Sequence, residues 1–187
     1  IKLGSYGASR IISVNNELLK GLDSQVYSSI IADIAIKSDS KVMVISHNNT
    51  GKAVAPRLSV RLKAGVGACV NGLPISIDPF IVKKRAFSGN AWAHTVIKTG
   101  IRILTILQNS YGIKETENKA SIEKINRDIE PGTVKTNIID RQKQTGKILL
   151  TDAEIVVSGG RGMKSPDNWG PIIELAELLG GATACSR

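Results

Sequence analysis

The segment SGGRGMKSPDNW, residues 158–169, combines the residue types in this chain that are best suited to hold a charged ligand. Its three glycines allow a ligand to approach the backbone closely, and the cations Arg161 and Lys164 belong to the same loop. A helix that follows such a loop offers free N–H groups and a partial positive charge at its first turn. The pattern therefore favours a phosphate-binding loop over its structural alternative, a tight turn.

The flanking residues predict the elements that position this loop. The apolar run at 154–157 predicts a buried strand before it. After it, Ser165 is a good N-cap and Pro166 suits the first helical position. The helix that they start is expected to end at Gly180. Its predicted core-facing residues are Leu175, Leu178 and Leu179.

Three known classes of nucleotide-binding loop differ from this segment. A P-loop requires GxxxxGK[ST], which the segment lacks. A Rossmann dinucleotide loop requires GxGxxG, but no glycine lies three positions after Gly162. An ATP-pyrophosphatase loop also begins SGG after a strand, but it continues with an acidic residue where Arg161 stands. The residues alone therefore leave the ligand of the loop open.

Composition places the chain among globular proteins. Of its 187 residues, 42% are hydrophobic and only 4% are aromatic, so a core of Ile, Val, Leu and Ala is expected. Cys69 and Cys185 form no CxxC pair, which is typical of reduced thiols. No segment approaches the roughly 18 apolar residues that span a bilayer. The two histidines, His47 and His94, are interpreted as structural residues in a polar turn and on a strand face.

The net charge of +9 is concentrated in the middle of the chain, because residues 41–110 contain ten Lys or Arg and one acid. Such a surface can bind nucleic acid. The segment lacks, however, the interleaved aromatic residues of a platform for single strands. A surface that faces solvent or an acidic partner is the preferred interpretation, and RNA binding is the outside alternative.

Strands and helices alternate along the first part of the chain. One helix is predicted at 23–37 with Asp23 as its N-cap, and another from a turn at 47–51 to about residue 63. The strand predicted at 41–46 is almost wholly apolar, which favours helices on both of its faces. The other predicted strands are 10–14, 66–70, 74–77, 80–87, 91–98 and 101–108. Several are too close together for helices between them, so the sheet must mix parallel and antiparallel pairs.

The later part of the chain is predicted to contain a domain boundary. Residues 111–131 are polar, with one short helix expected at 121–128, and residues 133–143 resemble a strand. We predict that residues 1–143 form an α/β domain and that residues 144–187 begin a second one.

Four segments form an ordered set along the chain. They are KLGSYGAS at 2–9, GKAVAPRLSVRL at 51–62, FSGNA at 87–91, and the final run that begins IVVSGGRGMKSPDN at 155 and ends in Ser-Arg at 187. In this order they closely resemble the alpha subunit of electron-transferring flavoprotein. The resemblance implies a fragment that lacks the family's amino-terminal start and most of its carboxyl-terminal FAD domain.

The resemblance also implies a fold class and a cofactor. Residues 1–143 would form a Rossmann-like three-layer α/β domain with a mixed, mostly parallel sheet, similar to adenine-nucleotide hydrolases. Residues 144–187 would form the first β-α-β unit of a FAD-binding α/β domain. Arg161, Ser186 and Arg187 would bind FAD, with Arg161 on the phosphate side and Arg187 near the flavin ring. No catalytic residue and no metal is implied, and AMP is expected in the beta subunit.

The implied function is electron transfer without substrate turnover. A heterodimer with the electron-transferring flavoprotein beta subunit would accept electrons from flavin dehydrogenases, such as the acyl-CoA dehydrogenases of fatty acid oxidation. It would pass them to a membrane quinone oxidoreductase or another acceptor. Its location would be the bacterial cytoplasm or the mitochondrial matrix, without nucleic acid and without membrane insertion. The main alternative is a stand-alone adenine-nucleotide-binding α/β module, similar to ATP pyrophosphatases.

Overall fold

The computed structural model describes residues 2–108, 110–140 and 148–185. The chain divides into two compact units, residues 1–138 (unit 1) and residues 139–187 (unit 2), and each is described by itself. The predicted boundary between residues 143 and 144 lies outside the described residues.

Unit 1 alternates helices and strands as its sequence predicts. Its α-helices are α1 (Ser24–Lys37) and α2 (Asn49–Leu62). Its strands are β1 (Arg10–Val14), β2 (Val42–Ser46), β3 (Gly65–Val70), β4 (Ser76–Ile77), β5 (Phe80–Ala86), β6 (Ala91–Ile97), β7 (Arg102–Ile106) and β8 (Ser121–Ile125).

The main sheet of unit 1 is mixed. Strands β2, β7 and β3 lie side by side in parallel. Strand β5 then pairs with β3 in the antiparallel sense and is itself flanked by antiparallel β4 and β6. Strands β1 and β8 form a separate parallel pair. The predicted α/β fold with a mixed sheet is confirmed. Over the described strands of both units, four strand pairs are parallel and three are antiparallel.

Helices α1 and α2 pack together on one face of the main sheet. Small residues let them approach closely, and Leu58 of α2 and Ile103 of β7 are fully buried at the centre of this layer. The other buried members of the cluster are Ala32, Ala35, Ala55, Leu62 and Ala64. On β2, Val44 is 60% exposed, so the prediction of helices on both faces of this strand is wrong. Alternate residues of β2 point to opposite faces, and the helices cover only one of them.

Two predictions for the later part of unit 1 are also wrong. Residues 121–125 form strand β8 instead of a helix, because Ile122 and its neighbours pair with β1, a partner that local propensity cannot reveal. Of the strand predicted at 133–143, residues 134–140 contain no regular structure, and residues 141–143 lie outside the described residues. This segment is instead held by one carboxylate, since the backbone N–H groups of Lys135 and Thr136 donate to Asp23 Oδ2 at 2.9 and 3.2 Å.

Asp23 is the predicted N-cap of α1, and the structure confirms this role. Its Oδ1 accepts hydrogen bonds from the N–H groups of Gln25 at 2.9 Å and Val26 at 3.1 Å. The side chain is buried. Burial alone would raise the pKa of Asp23, but the backbone hydrogen bonds outweigh it and hold the pKa below its ordinary value.

Replacing Asp23 by Ala is expected to lower the free energy of unfolding of unit 1 by about 2 kcal/mol, because a helix cap and the anchor of residues 135 and 136 are lost together. The matched control is Asn48→Ala, since Asn48 caps α2 by accepting only from Gly51 N–H and should cost about 1 kcal/mol. Urea unfolding measures both values. Equal losses in the two variants would contradict the anchoring role.

The pH dependence of this difference has a defined sign. The pKa of Asp23 is lower in the folded than in the unfolded protein. The carboxylate therefore stabilises the fold fully at pH values above the ordinary Asp pKa of about 3.9. This stabilisation is lost as the pH falls through the lower pKa of the folded protein. The difference in free energy of unfolding between the unaltered protein and Asp23→Ala should therefore be constant from pH 7 to pH 5. It should become smaller below about pH 4.

Candidate functional site

Unit 2 places the glycine-rich loop at the carboxyl end of a parallel strand. Strand β9 (Val156–Gly159) pairs in parallel with β10 (Ala182–Cys185), and helix α3 (Gly170–Leu178) connects them. The predicted β-α-β unit is thereby confirmed. In such units ligands bind beyond the carboxyl ends of the strands, which is where the loop begins.

Local hydrogen bonds fix the shape of the loop. Residues 161–163 form one turn of 3-10 helix, in which Met163 N–H donates to the carbonyl of Gly160 at 2.9 Å. Lys164 follows in a backbone conformation with a φ of +61°, which non-glycine residues rarely adopt. The side-chain amide of Asn168 donates to the carbonyl of Met163 at 2.9 Å and ties the loop to the next turn.

Ser165 caps the turn that follows, as predicted. Its hydroxyl accepts from the N–H of Asp167 at 3.3 Å and donates to the carboxylate of the same residue at 2.9 Å. The capped turn, Pro166–Trp169, is a 3-10 helix, and α3 begins only at Gly170.

The predicted core face of α3 is wrong. The leucines predicted to be buried are exposed, with Leu178 at 83% and Leu175 and Leu179 each at 46%. Ala176 is the residue of this helix that is buried. Two short strands offer the helix only a narrow surface, and a small side chain fits it best.

Gly159 is required for packing more than for ligand approach. A Cβ atom at this position would lie 2.6 and 2.8 Å from two ring atoms of Trp169 and 3.0 Å from Met163 Cγ. A Cβ at Gly162, by contrast, would meet no atom within 4 Å. The first glycine of the loop therefore lets the indole ring pack on the end of β9.

A cavity of about 580 Å³ opens beside this loop. Trp169 and Ile173, one helical turn apart, contribute an apolar wall, and the exposed side chains of Arg161 and Lys164 contribute two positive charges. The other lining residues are Gly160, Met163, Ser165, Pro166 and Cys185. The arrangement suits a ligand that combines an anionic group with a flat apolar ring.

Of the three predicted site residues, the structure describes one. Arg161 lines the cavity, whereas Ser186 and Arg187 lie outside the described residues. Cys185, which precedes them in sequence, lines the same cavity. Sequence reasoning did not assign Trp169 or Ile173 to the site, although their spacing of four residues at a helix start was a usable signal.

Comparison with protein families identifies the kind of protein to which this fold and site belong. Residues 149–187, which contain the loop and the cavity, match the model of the electron transfer flavoprotein FAD-binding domain. This part of the chain is therefore part of a flavoprotein domain. Residues 2–130 match the model of the electron transfer flavoprotein domain. The chain thus belongs to the electron transfer flavoprotein family and corresponds to its alpha subunit.

Individual relatives agree with this assignment. The chain is 29% identical to electron transfer flavoprotein subunit alpha of Thermoanaerobacterium thermosaccharolyticum over 98% of its own length, and 28% identical to that of Bacillus subtilis over 97%. It spans 57% and 56% of the lengths of these two proteins. It is also 26% identical, over its whole length and 46% of the relative, to a subunit of the lactate dehydrogenase (NAD(+),ferredoxin) of Acetobacterium woodii.

Among the described residues, no helix combines the length and the apolar character that are needed to cross a bilayer. Within the same residues, no group of three or more His, Cys, Asp and Glu side chains is arranged to hold a metal ion.

Proposed function

We propose that the protein is the alpha subunit of a heterodimeric electron carrier and that the cavity of unit 2 holds part of its FAD. The observation that carries this proposal is the pairing of Arg161 and Lys164 with the apolar wall of Trp169 and Ile173 inside the segment that matches a FAD-binding domain. FAD contains a pyrophosphate and a flat ring system, and the cavity offers a suitable surface to each. When bound, FAD supplies the redox chemistry, for which the protein provides position and charge.

The residues of the chain have distinct roles in this proposal. The guanidinium of Arg161, on a rigid turn at the carboxyl end of β9, binds the pyrophosphate, because a planar fork of donors matches phosphate oxygens. Ser186 and Arg187, which follow Cys185, are the further FAD contacts. Arg187 is assigned to the ring side, where a fixed positive charge would favour the more negative, reduced state. Lys164 adds long-range attraction for the same anion.

The proposal includes a beta subunit that docks on residues 1–143. The antiparallel part of the main sheet exposes large apolar side chains, among them Phe87 at 83%, Ile77 at 77% and Trp92 at 51%. Several large apolar side chains exposed on β4, β6 and the turn after β5 favour a protein interface over a surface that faces only solvent. Lys83 Nζ lies 4.1 Å from the centre of the Trp92 ring, which gives the surface a positive edge that suits an acidic partner.

The remaining partners follow from the same function. AMP would be bound by the beta subunit. Electrons would come from acyl-CoA dehydrogenases or other flavin dehydrogenases and would leave to a membrane quinone oxidoreductase or another acceptor. The carrier would act in the bacterial cytoplasm or the mitochondrial matrix.

Co-expression with the cognate beta subunit tests this function directly. The full-length protein is expected to purify as a yellow 1:1 complex that shows flavin absorption bands and releases FAD on denaturation. A colourless monomer that retains ATP and ignores the beta subunit would contradict the proposal and favour an adenine-nucleotide-binding module. A colourless protein whose RNA affinity falls steeply with added salt would favour RNA binding instead.

A further inference from the structure

A cysteine, a histidine and a threonine meet at the carboxyl edge of the parallel strands in unit 1. Cys69 belongs to β3, Thr105 to β7, and His47 follows β2 directly. Cys69 Sγ lies 2.8 Å from His47 Nε2, and His47 Nδ1 lies 2.8 Å from Thr105 Oγ1. Nucleophile, base and orienting hydroxyl therefore form a continuous chain of contacts, the arrangement that activates nucleophiles in proteins.

A β-bulge aims the cysteine at this position. The pairing between β3 and β7 shifts after Gly67, so that two residues of β3 lie opposite Thr105. Cys69 adopts a left-handed φ of +57°, and its N–H donates to Thr105 Oγ1 at 3.1 Å instead of to a strand carbonyl. Bulges re-aim side chains in this way near functional sites.

The imidazole of His47 is oriented with Nε2 toward the thiol of Cys69 and Nδ1 toward the hydroxyl of Thr105. The backbone N–H of His47 donates to the carbonyl of Ile106 at 2.7 Å, which anchors the residue beside β7. Thr105 Oγ1 accepts from Cys69 N–H and has a second acceptor position that can receive Nδ1–H. In this tautomer, Nε2 presents its lone pair to Cys69 Sγ.

Two further features bear on the reaction of this cluster. Burial, and then the positive charge of Lys52 in the first turn of α2, lower the pKa of His47 below its ordinary value. The imidazole is therefore neutral at pH 7 with a lone pair free, although the lower pKa also makes it a weaker base. The cluster is half-buried at His47 and Cys69, which admits a small molecule and hinders a bulky one.

We propose that Cys69 is a reactive thiol, activated by His47 and positioned by Thr105, that is oxidised by small hydroperoxides such as hydrogen peroxide. His47 Nε2 takes the thiol proton, and the thiolate sulfur attacks one peroxide oxygen as the O–O bond breaks. The leaving hydroxide takes the proton from His47 and departs as water. The sulfur, oxidised by two electrons, becomes a sulfenic acid, and the peroxide is reduced by the same two electrons.

The protein supplies an internal comparison for the first test. The purified protein is treated with hydrogen peroxide at pH 7 in the presence of dimedone, which traps sulfenic acids, and labelling of Cys69 and Cys185 is followed by peptide mass spectrometry. The same measurement is made on urea-unfolded protein. Cys69 is expected to react at least about tenfold faster in the folded than in the unfolded protein. Exposure alone would favour Cys185, because Cys69 is the less exposed of the two thiols. A slower reaction in the folded protein would overturn the proposal, whatever the variants do.

Variants then separate activation from structure. His47→Gln should lower the labelling rate of Cys69 to that of the unfolded chain and leave Cys185 unchanged. Thr105→Val, which keeps the shape and removes the hydroxyl, should slow labelling, whereas Thr105→Ser should restore it. Unchanged labelling of Cys69 in folded His47→Gln would refute the role of the imidazole, and equal rates in the two Thr105 variants would refute that of the hydroxyl.

Discussion

Gly51→Ala is expected to lower the free energy of unfolding of unit 1 by about 4 kcal/mol or more, an unusually large loss for the addition of one methyl group. Gly51 lies in the first turn of α2, and only His47 and Asn48 separate that helix from β2. A Cβ at Gly51 would overlap the carbonyl oxygen of Ser46 and lie 3.0 Å from Ile45 Cγ2. Backbone cannot move aside as a flexible side chain can, so α2 must shift off the sheet.

The control for this prediction is Gly100→Ala. Gly100 also lies in unit 1, but a Cβ there would meet no atom within 4 Å, and its φ is not in the left-handed region. We expect this variant to change the free energy of unfolding by about 0.5 kcal/mol or less. Urea unfolding followed by circular dichroism measures both. Losses of similar size in the free energy of unfolding of the two variants would contradict the close contact between Gly51 of α2 and the end of β2.

Arg161→Ala is expected to weaken FAD binding about a hundredfold in the full-length complex with its beta subunit. A hydrogen-bonded guanidinium on a phosphate is worth roughly 1.5–3 kcal/mol, and Lys164, which lines the same cavity, offers a point charge without the planar pair of donors. The flavin midpoint potential should change little, because the pyrophosphate keeps its charge in both redox states. FAD affinity is measured by titration of the apoprotein, and the potential by dye-coupled reduction.

Arg187→Ala is the contrasting variant in the same experiment. A cation near the ring stabilises the reduced state more than the oxidised one, so its loss should lower the midpoint potential by some tens of millivolts, at roughly 30 mV per 1.4 kcal/mol for a two-electron couple. Its effect on affinity should be smaller than that of Arg161→Ala. The assignment of the two arginines would be reversed if Arg161→Ala moved the potential and Arg187→Ala moved only the affinity.

The fold of unit 1 was largely accessible from its sequence because most of its signals are local. Asp23 before an apolar helical pattern, and short apolar runs separated by turns, give α1 and the strands of the main sheet within a few residues. Residues 121–125 were misassigned because their strand exists only through pairing with β1. The contacts of Asp23 with residues 135 and 136 are equally invisible to local patterns, since they join distant segments.

The candidate site was predictable in part for the same reason. The glycine-rich loop and the cap at Ser165 are contiguous in sequence, and Arg161 lies on the predicted loop. The apolar wall of Trp169 and Ile173 depends on how the helix start packs against β9, which spacing alone does not determine. His47 was interpreted as a residue of a polar turn, because its contacts with Cys69 and Thr105 come from two strands that are distant in sequence.

The pairing of β1 with β8 has a consequence for how the chain is made. Arg10 pairs with Ser121, a residue that the ribosome adds 111 positions later. At roughly 5–20 residues per second, β1 waits about 6–20 s for its partner, while the main sheet between them is already being completed. Two-stranded pairs are marginal by themselves. Strand β1 is therefore made before the strands of the main sheet but secured after them, and the order of synthesis in unit 1 is not the order of assembly.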